Sequence, residues 1–157
     1  MWAGRAACGA GEISDMVVEY SAELIADLRD WWFDSVREIA DLDFQRRTWL
    51  NPPTPSPHWS FVEFRECFPK ADQLDDAKRR GFLSAEEHAI MMDVHNALSL
   101  QSYKPPGGKE YDHEAILADP AWHAVAAKAD AARRRLLELT NDPRERRSLL
   151  GQSGNSE

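Results

Sequence analysis

The chain has 157 residues, 43% of them hydrophobic and 29% charged, which fits one globular domain able to bury roughly two thirds of its unfolded surface. Its formal net charge of −8 argues against nonspecific nucleic-acid binding, which needs cations to displace phosphate counterions. No apolar run approaches the ~18 residues that span a bilayer, and "MWAGRAACGAGE" lacks the apolar stretch of a secretion signal, so a cytoplasmic setting is expected, with Cys8 and Cys67 as two free thiols.

Residues 1–13 read as a loose tail, 14–151 as a single all-α domain, an irregular bundle of five to seven helices, and 152–157 as a disordered tail. Ser14 can cap a long first helix whose apolar positions include Leu24, Leu28, Trp31, Ile39 and Leu42, widened by Ile25, Trp32 and Val36. This helix ends near Asp43 or runs on to about Trp49. "NPPTPSPHW" must be extended, because its prolines remove donors and push the preceding residues out of the α region. It reads as a stiff connector, with a polyproline ligand as the alternative.

Ser60 and Glu63 have the spacing of a capping box, and Phe61, Phe64 and Phe68 line one face of the short helix that follows. Residues 72–79 suggest another helix, closed by Gly81. "SAEE" at 84–87 opens a helix to about Ser102, with Leu83, Ile90, Val94 and Leu98 inward. "DHEAILA" gives two turns. Asp119-Pro120 starts a helix to about Leu139, Pro120 standing where its missing N–H costs nothing. Asp142-Pro143 repeats that start, and Gly151 can close it. No strand-like alternation and no internal repeat is found.

The first helix carries acids at Glu19, Glu23, Asp27, Asp30, Asp34, Glu38 and Asp41, in steps of three and four, so one side is almost purely negative. A face that serves solubility usually mixes signs. Like-charged neighbours cost about 0.2–0.5 kcal/mol each before screening, roughly 1.5–3.5 kcal/mol over the row from Asp15 to Asp41. Arg37 lies within reach of Asp34 and Asp41, Arg29 faces elsewhere, and Arg133 to Arg135 could supply further cations. Two readings follow. One is a solvated or internally paired face. The other is a docking surface for a basic protein, formed by those seven acids with Trp31 as aromatic anchor.

The histidines give a second constellation. His88 and His95 are one heptad apart, and Glu110, His113 and His123 follow, so a metal-dependent bundle enzyme would use these five. A di-metal bundle site, however, takes two Glu-x-x-His motifs with two further carboxylates, and one such motif is present. No metal and no cofactor is therefore expected. Cys67 would need a nearby histidine to act as a nucleophile, and a buried structural cysteine is the plainer reading. "GAG" at 9–11 lacks the remainder of a phosphate loop. The arginines of "ARRRLLEL" and "PRERR" could touch phosphates, but Glu138, Asp142 and Glu145 offer intrahelical partners.

The segment "YDHEAILADPAWHAVAAKADAARRRLLEL" resembles small all-helical bacterial proteins of the toxin-immunity and uncharacterised-partner kind. That resemblance implies a helical chain that binds and neutralises one cognate basic toxin or effector, and it carries no site residues over. The expected function is thus an acidic binding protein of immunity or inhibitor type. A metal-dependent enzyme and a structural or regulatory subunit are the alternatives.

Overall fold

The computed structural model describes residues 19–50 and 60–152. The expected Ser14 cap, Cys8, the proline connector, the N-terminal tail and residues 153–157 of the C-terminal one lie outside these residues, while Gln152 donates its amide to the Arg147 carbonyl at 2.7 Å. Eight α-helices and no strand are found among the described residues: α1 Ala22–Ala40, α2 Leu42–Gln45, α3 Phe61–Cys67, α4 Ala71–Arg80, α5 Ala85–Leu98, α6 His113–Ala118, α7 Pro120–Leu139 and α8 Pro143–Leu149. The all-α class stands, with one helix beyond the range expected.

The helix starts follow from local chemistry. Asp119 accepts from the Ala121 amide at 3.0 Å and Asp142 from the Arg144 amide at 2.8 Å, each followed by a proline that has no N–H to leave orphaned. Ser84 and Glu87 form the full reciprocal box, both bonds within 3.0 Å. The box at Ser60 and Glu63 is also present: Glu63 reaches back to the Ser60 amide at 3.0 Å, and the Ser60 hydroxyl donates to the same carboxylate. Gly81 closes α4 at φ +86°, a conformation open to glycine without a Cβ clash.

The first helix departs most from expectation. It is capped by Ser21, which accepts from the Leu24 amide at 3.0 Å, so Glu19 and Tyr20 precede the helix. It stops at Ala40, where Asp41 turns out of the helix and caps α2 by accepting from the Phe44 amide at 3.0 Å. A π-helical turn over Arg46–Leu50 then continues the chain. The helical path therefore reaches past Trp49, but with a break. Gln45 spans that break: its amide donates to the carbonyls of Glu38 and Ile39 at 2.9 and 2.8 Å, adding to the Asp41 amide that already donates to Glu38 at 3.2 Å.

α7 is the central helix, packed against α1 and α5, while α8 lies against α1 and α4 against α5. The core between them is built from Phe33, Val36 and Ile39 of α1, Ile90 and Val94 of α5, and Trp122, Val125 and Leu136 of α7. Each large side chain so buried is worth about 1.5–3 kcal/mol. The buried side of α1 centres on Trp32, Phe33, Val36 and Ile39, not on Leu24 and Trp31. Leu24 is 42% exposed and Trp31 is half-buried. Among the described residues no helix is long and apolar enough to cross a membrane. Cys67 is half-buried and disulfide-bonded, so the free thiol expected of a reducing compartment, and with it a Cys67 nucleophile, is not what the structure holds.

Candidate functional site

The acidic row of α1 changes character along its length. Glu19 and Glu23 are exposed and make no ion pair with any described residue. Asp27, also exposed, meets Arg144 of α8 at 2.9 Å. Asp30 is half-buried, 3.2 Å from the same guanidinium, and accepts a short hydrogen bond from the Ser148 hydroxyl. Asp34 and Glu38 are only 2% and 1% exposed, and Arg37 reaches them at 2.9 and 3.6 Å. Asp41 is taken up in capping α2 and in a 3.6 Å contact with Arg37.

Asp30, Asp34, Glu38 and Asp41 therefore do not form the open docking face expected of them. Two things take them up. Arg37 of α1 binds Asp34, Glu38 and Asp41, and α8, packed against α1, brings Arg144 and Ser148 to Asp30. Arg133 to Arg135, the cations suggested for this role, are engaged elsewhere: Arg133 and Arg134 share Asp130, and Arg135 approaches Glu86 at 3.8 Å. These two guanidinium partners hold Asp130 below the ordinary carboxylate range, against the opposing effect of burial.

Burial pushes the Asp30 carboxyl up, more than Ser148 and Arg144 bring it down. A raised folded value means the charged form costs stability at neutral pH, a cost that fades as pH falls through that value. Asp30→Asn should accordingly be neutral or slightly stabilising. Asp34→Asn, which weakens a buried charge-assisted bond to Arg37, should cost about 1–3 kcal/mol. The pair Glu19→Gln and Glu23→Gln should stay within about 0.5 kcal/mol of the parent. Urea unfolding of the three variants checks this ordering; equal losses in all three would show that α8 does not divide the row.

The strongest electrostatic feature was invisible in the row itself. Arg29 points away from it, as expected, and clamps two carboxylates: Glu87 of α5 at 2.9 Å and Glu145 of α8 at 2.8 Å. All three side chains are at most 16% exposed. Thr140 donates to Glu145 at 2.6 Å, and Arg29 also donates to the Phe82 carbonyl at 2.5 Å. Burial alone would lower the Arg29 value and raise that of Glu87. The mutual hydrogen bonds and charges reverse both, so Arg29 is raised and Glu87 lowered. Glu145 is thus not an intrahelical partner for the arginines around it. Arg146 donates instead to the carbonyls of Leu137 and Thr140.

The five residues of the metal reading are dispersed. His88 Nε2 lies 2.7 Å from Asp75 of α4, and His123 Nε2 lies 2.6 Å from the Leu117 carbonyl. Glu110 pairs with Arg65 at 3.0 Å, and His95 is half-buried farther along α5. The ring of His113 sits 5.5 Å from Trp49, which the π-helical turn places there. Among the described residues no three histidine, cysteine or acidic side chains come together in a way that could hold an ion.

No protein-family model, curated protein or solved structure matches this chain. The site must therefore be judged on its own geometry. Two surface clefts do not improve on α1. One, of about 510 Å³ between α1, α7 and α8, has Arg37, Arg46 and Arg133 matched by its own Asp41, Asp43 and Asp130. The other, of about 410 Å³ between α5 and α7, mixes three alanines with Asp93, Lys128 and Arg135, so it carries no charge of one sign. What remains open is the start of α1, where Glu19 and Glu23 stand unpaired near the exposed Leu24 and Asp27 follows one turn on, held by Arg144. Leu24, Asp27 and Trp31 share one face of the helix through their spacing of three and four.

Proposed function

We propose that the protein is an acidic helical binding protein that docks on a basic protein partner and neutralises it, using the start of α1. The observation that carries this reading is an apolar residue, Leu24, 42% exposed beside Glu23, with Glu19 just ahead of the helix, two exposed carboxylates that no described cation offsets. Glu19 and Glu23 supply the field, Asp27 can exchange its exposed Arg144 for a partner's cation, and Leu24 with Trp31 supplies the apolar contact. A net charge of −8 adds long-range attraction for a cationic protein. The texture shared by residues 111–139 with toxin-immunity proteins supports the same reading.

In such a complex the acids govern encounter and the apolar residues govern dissociation. The variant Glu19→Gln/Glu23→Gln/Asp27→Asn should associate with a captured basic partner about ten-fold more slowly at low salt, and at the parent rate in molar salt, where screening removes the steering. The test retains basic proteins from a host extract on the immobilised chain and on the variant, identifies them, and measures association rates across salt. Equal retention and equal rates on both surfaces would defeat the reading.

A further inference from the structure

Beside the start of α1, the seam with α4 holds a slit of about 80 Å³ lined by Tyr20, Leu28, Trp32, Asp76, Ala77 and Phe82. That is roughly the space of two or three waters. The rings of Tyr20 and Phe82 lie 5.0 Å apart at 47°, forming an aromatic wall. Arg80, the last residue of α4, lays its guanidinium on that wall, 5.1 Å from the centre of the Tyr20 ring. Its Nε donates to Asp76 Oδ2 at 2.9 Å, while Arg79 takes Oδ1 of the same carboxylate.

An aromatic face meeting a carboxylate edge is the chemistry that selects guanidinium over ammonium, because a planar delocalised cation can stack and hydrogen-bond at once. The dipole of α4 accounts for basic residues in its last turn, and Lys78 and Arg79 already serve it. It does not account for Arg80 lying on a tyrosine from the start of another helix. The Arg80 side chain is 29% exposed, so an incoming cation can reach its edge from solvent.

We infer that Tyr20 and Asp76 form a guanidinium site on the docking face, in which Arg80 stands in for an arginine of the basic partner and is displaced by it. The inference rests on the docking reading and specifies it: the partner presents arginine, not only lysine, where it meets α1 and α4. Glu19 and Glu23, exposed next to Tyr20 and Leu24, draw the incoming cation to the slit.

The test uses the full chain with hexa-arginine and hexa-lysine peptides, titrated by calorimetry at low salt. Arg79→Ala is the charge control, since Arg79 binds the same carboxylate but has no ring beneath it. Arg80→Ala should bind hexa-arginine about two- to five-fold more tightly than Arg79→Ala does, with a smaller gain for hexa-lysine. Adding Tyr20→Leu, which keeps apolar bulk and loses the π face, should abolish that advantage. Asp76→Asn in the Arg80→Ala background provides the same check from the carboxylate side if the Tyr20 variant does not fold. Equal gains from Arg79→Ala and Arg80→Ala for both peptides would overturn the guanidinium site and leave the docking reading standing. Failure of every variant to bind either peptide at low salt would overturn both.

Discussion

Arg29→Ala should lower the unfolding free energy by about 3–5 kcal/mol, because it leaves Glu87 and Glu145 buried and facing each other without a cation. The melting midpoint should fall on the order of 10 °C. Removing the charges together should be far milder, since a neutral trio carries no desolvation debt. Arg29→Met combined with Glu87→Gln and Glu145→Gln should recover most of the loss. The pH dependence follows from the lowered Glu87 value. A depressed carboxyl contributes stability that is present above its ordinary value of 4.5 and is lost as pH falls through the folded value. The parent should therefore weaken below about pH 4.5, while Arg29→Ala should lose less on acidification, because protonation relieves its stranded acids. Urea titrations of both proteins at pH 7 and pH 4 read this directly; parallel pH profiles would show that the triad is not the source.

Trp122→Ala should be as damaging, at about 3–5 kcal/mol. Trp122 is fully buried, meets Phe61 edge-on at 5.5 Å and touches the rings of Tyr103 and Trp49. Its indole N–H donates to Gln45 Oε1 at 2.9 Å, and the Gln45 amide in turn closes the end of α1. Alanine thus opens a cavity and orphans a fully buried amide oxygen. Trp122→Phe separates the two effects. It retains a ring against Phe61 but cannot donate to Gln45, so about 1–3 kcal/mol of the loss should persist. Denaturant unfolding with near-ultraviolet dichroism of the aromatic cluster is the appropriate measurement. A Trp122→Phe variant as stable as the parent would show that Gln45 has no need of the indole.

The helices after residue 60 could be read from sequence because their signals are local. Asp119-Pro120, Asp142-Pro143, Ser84-Glu87 and Gly81 each act through bonds to residues a few positions away, and the structure uses all of them. The start of α1 at Ser21 differs from the expected cap because the apolar spacing continues unbroken through Tyr20 and Leu24 and does not mark a boundary between them. The break at Asp41 was visible only as one of two alternatives, since an aspartate inside an acidic row reads as another charge, not as a cap. The site suffered more, because Asp27 and Asp30 acquire their partners from α8, while Asp34, Glu38 and Asp41 turn to Arg37 within α1. Nothing in the spacing of Asp30 and Asp34 announces that Ser148 and Arg144 will cover that side. Glu87 and Glu145 each have a plausible partner close by in sequence. Glu87 does fill its role as a cap, yet it binds Arg29 as well, while Glu145 leaves its helix neighbours for Arg29 altogether.

The bonds between α1 and α8 also set a schedule. Arg29 and Glu145 stand 116 positions apart, so at roughly 5–20 residues per second a ribosome needs on the order of ten seconds between making one and making the other. Throughout that interval α1 is a nascent helix whose Asp27, Asp30 and Arg29 lack the α8 partners they will later hold. Its carboxylates then act as gatekeepers, their mutual repulsion keeping Trp31, Trp32 and Phe33 from pairing with neighbouring chains. The same charges that the finished protein encloses would first serve to keep the unfinished one apart from its copies.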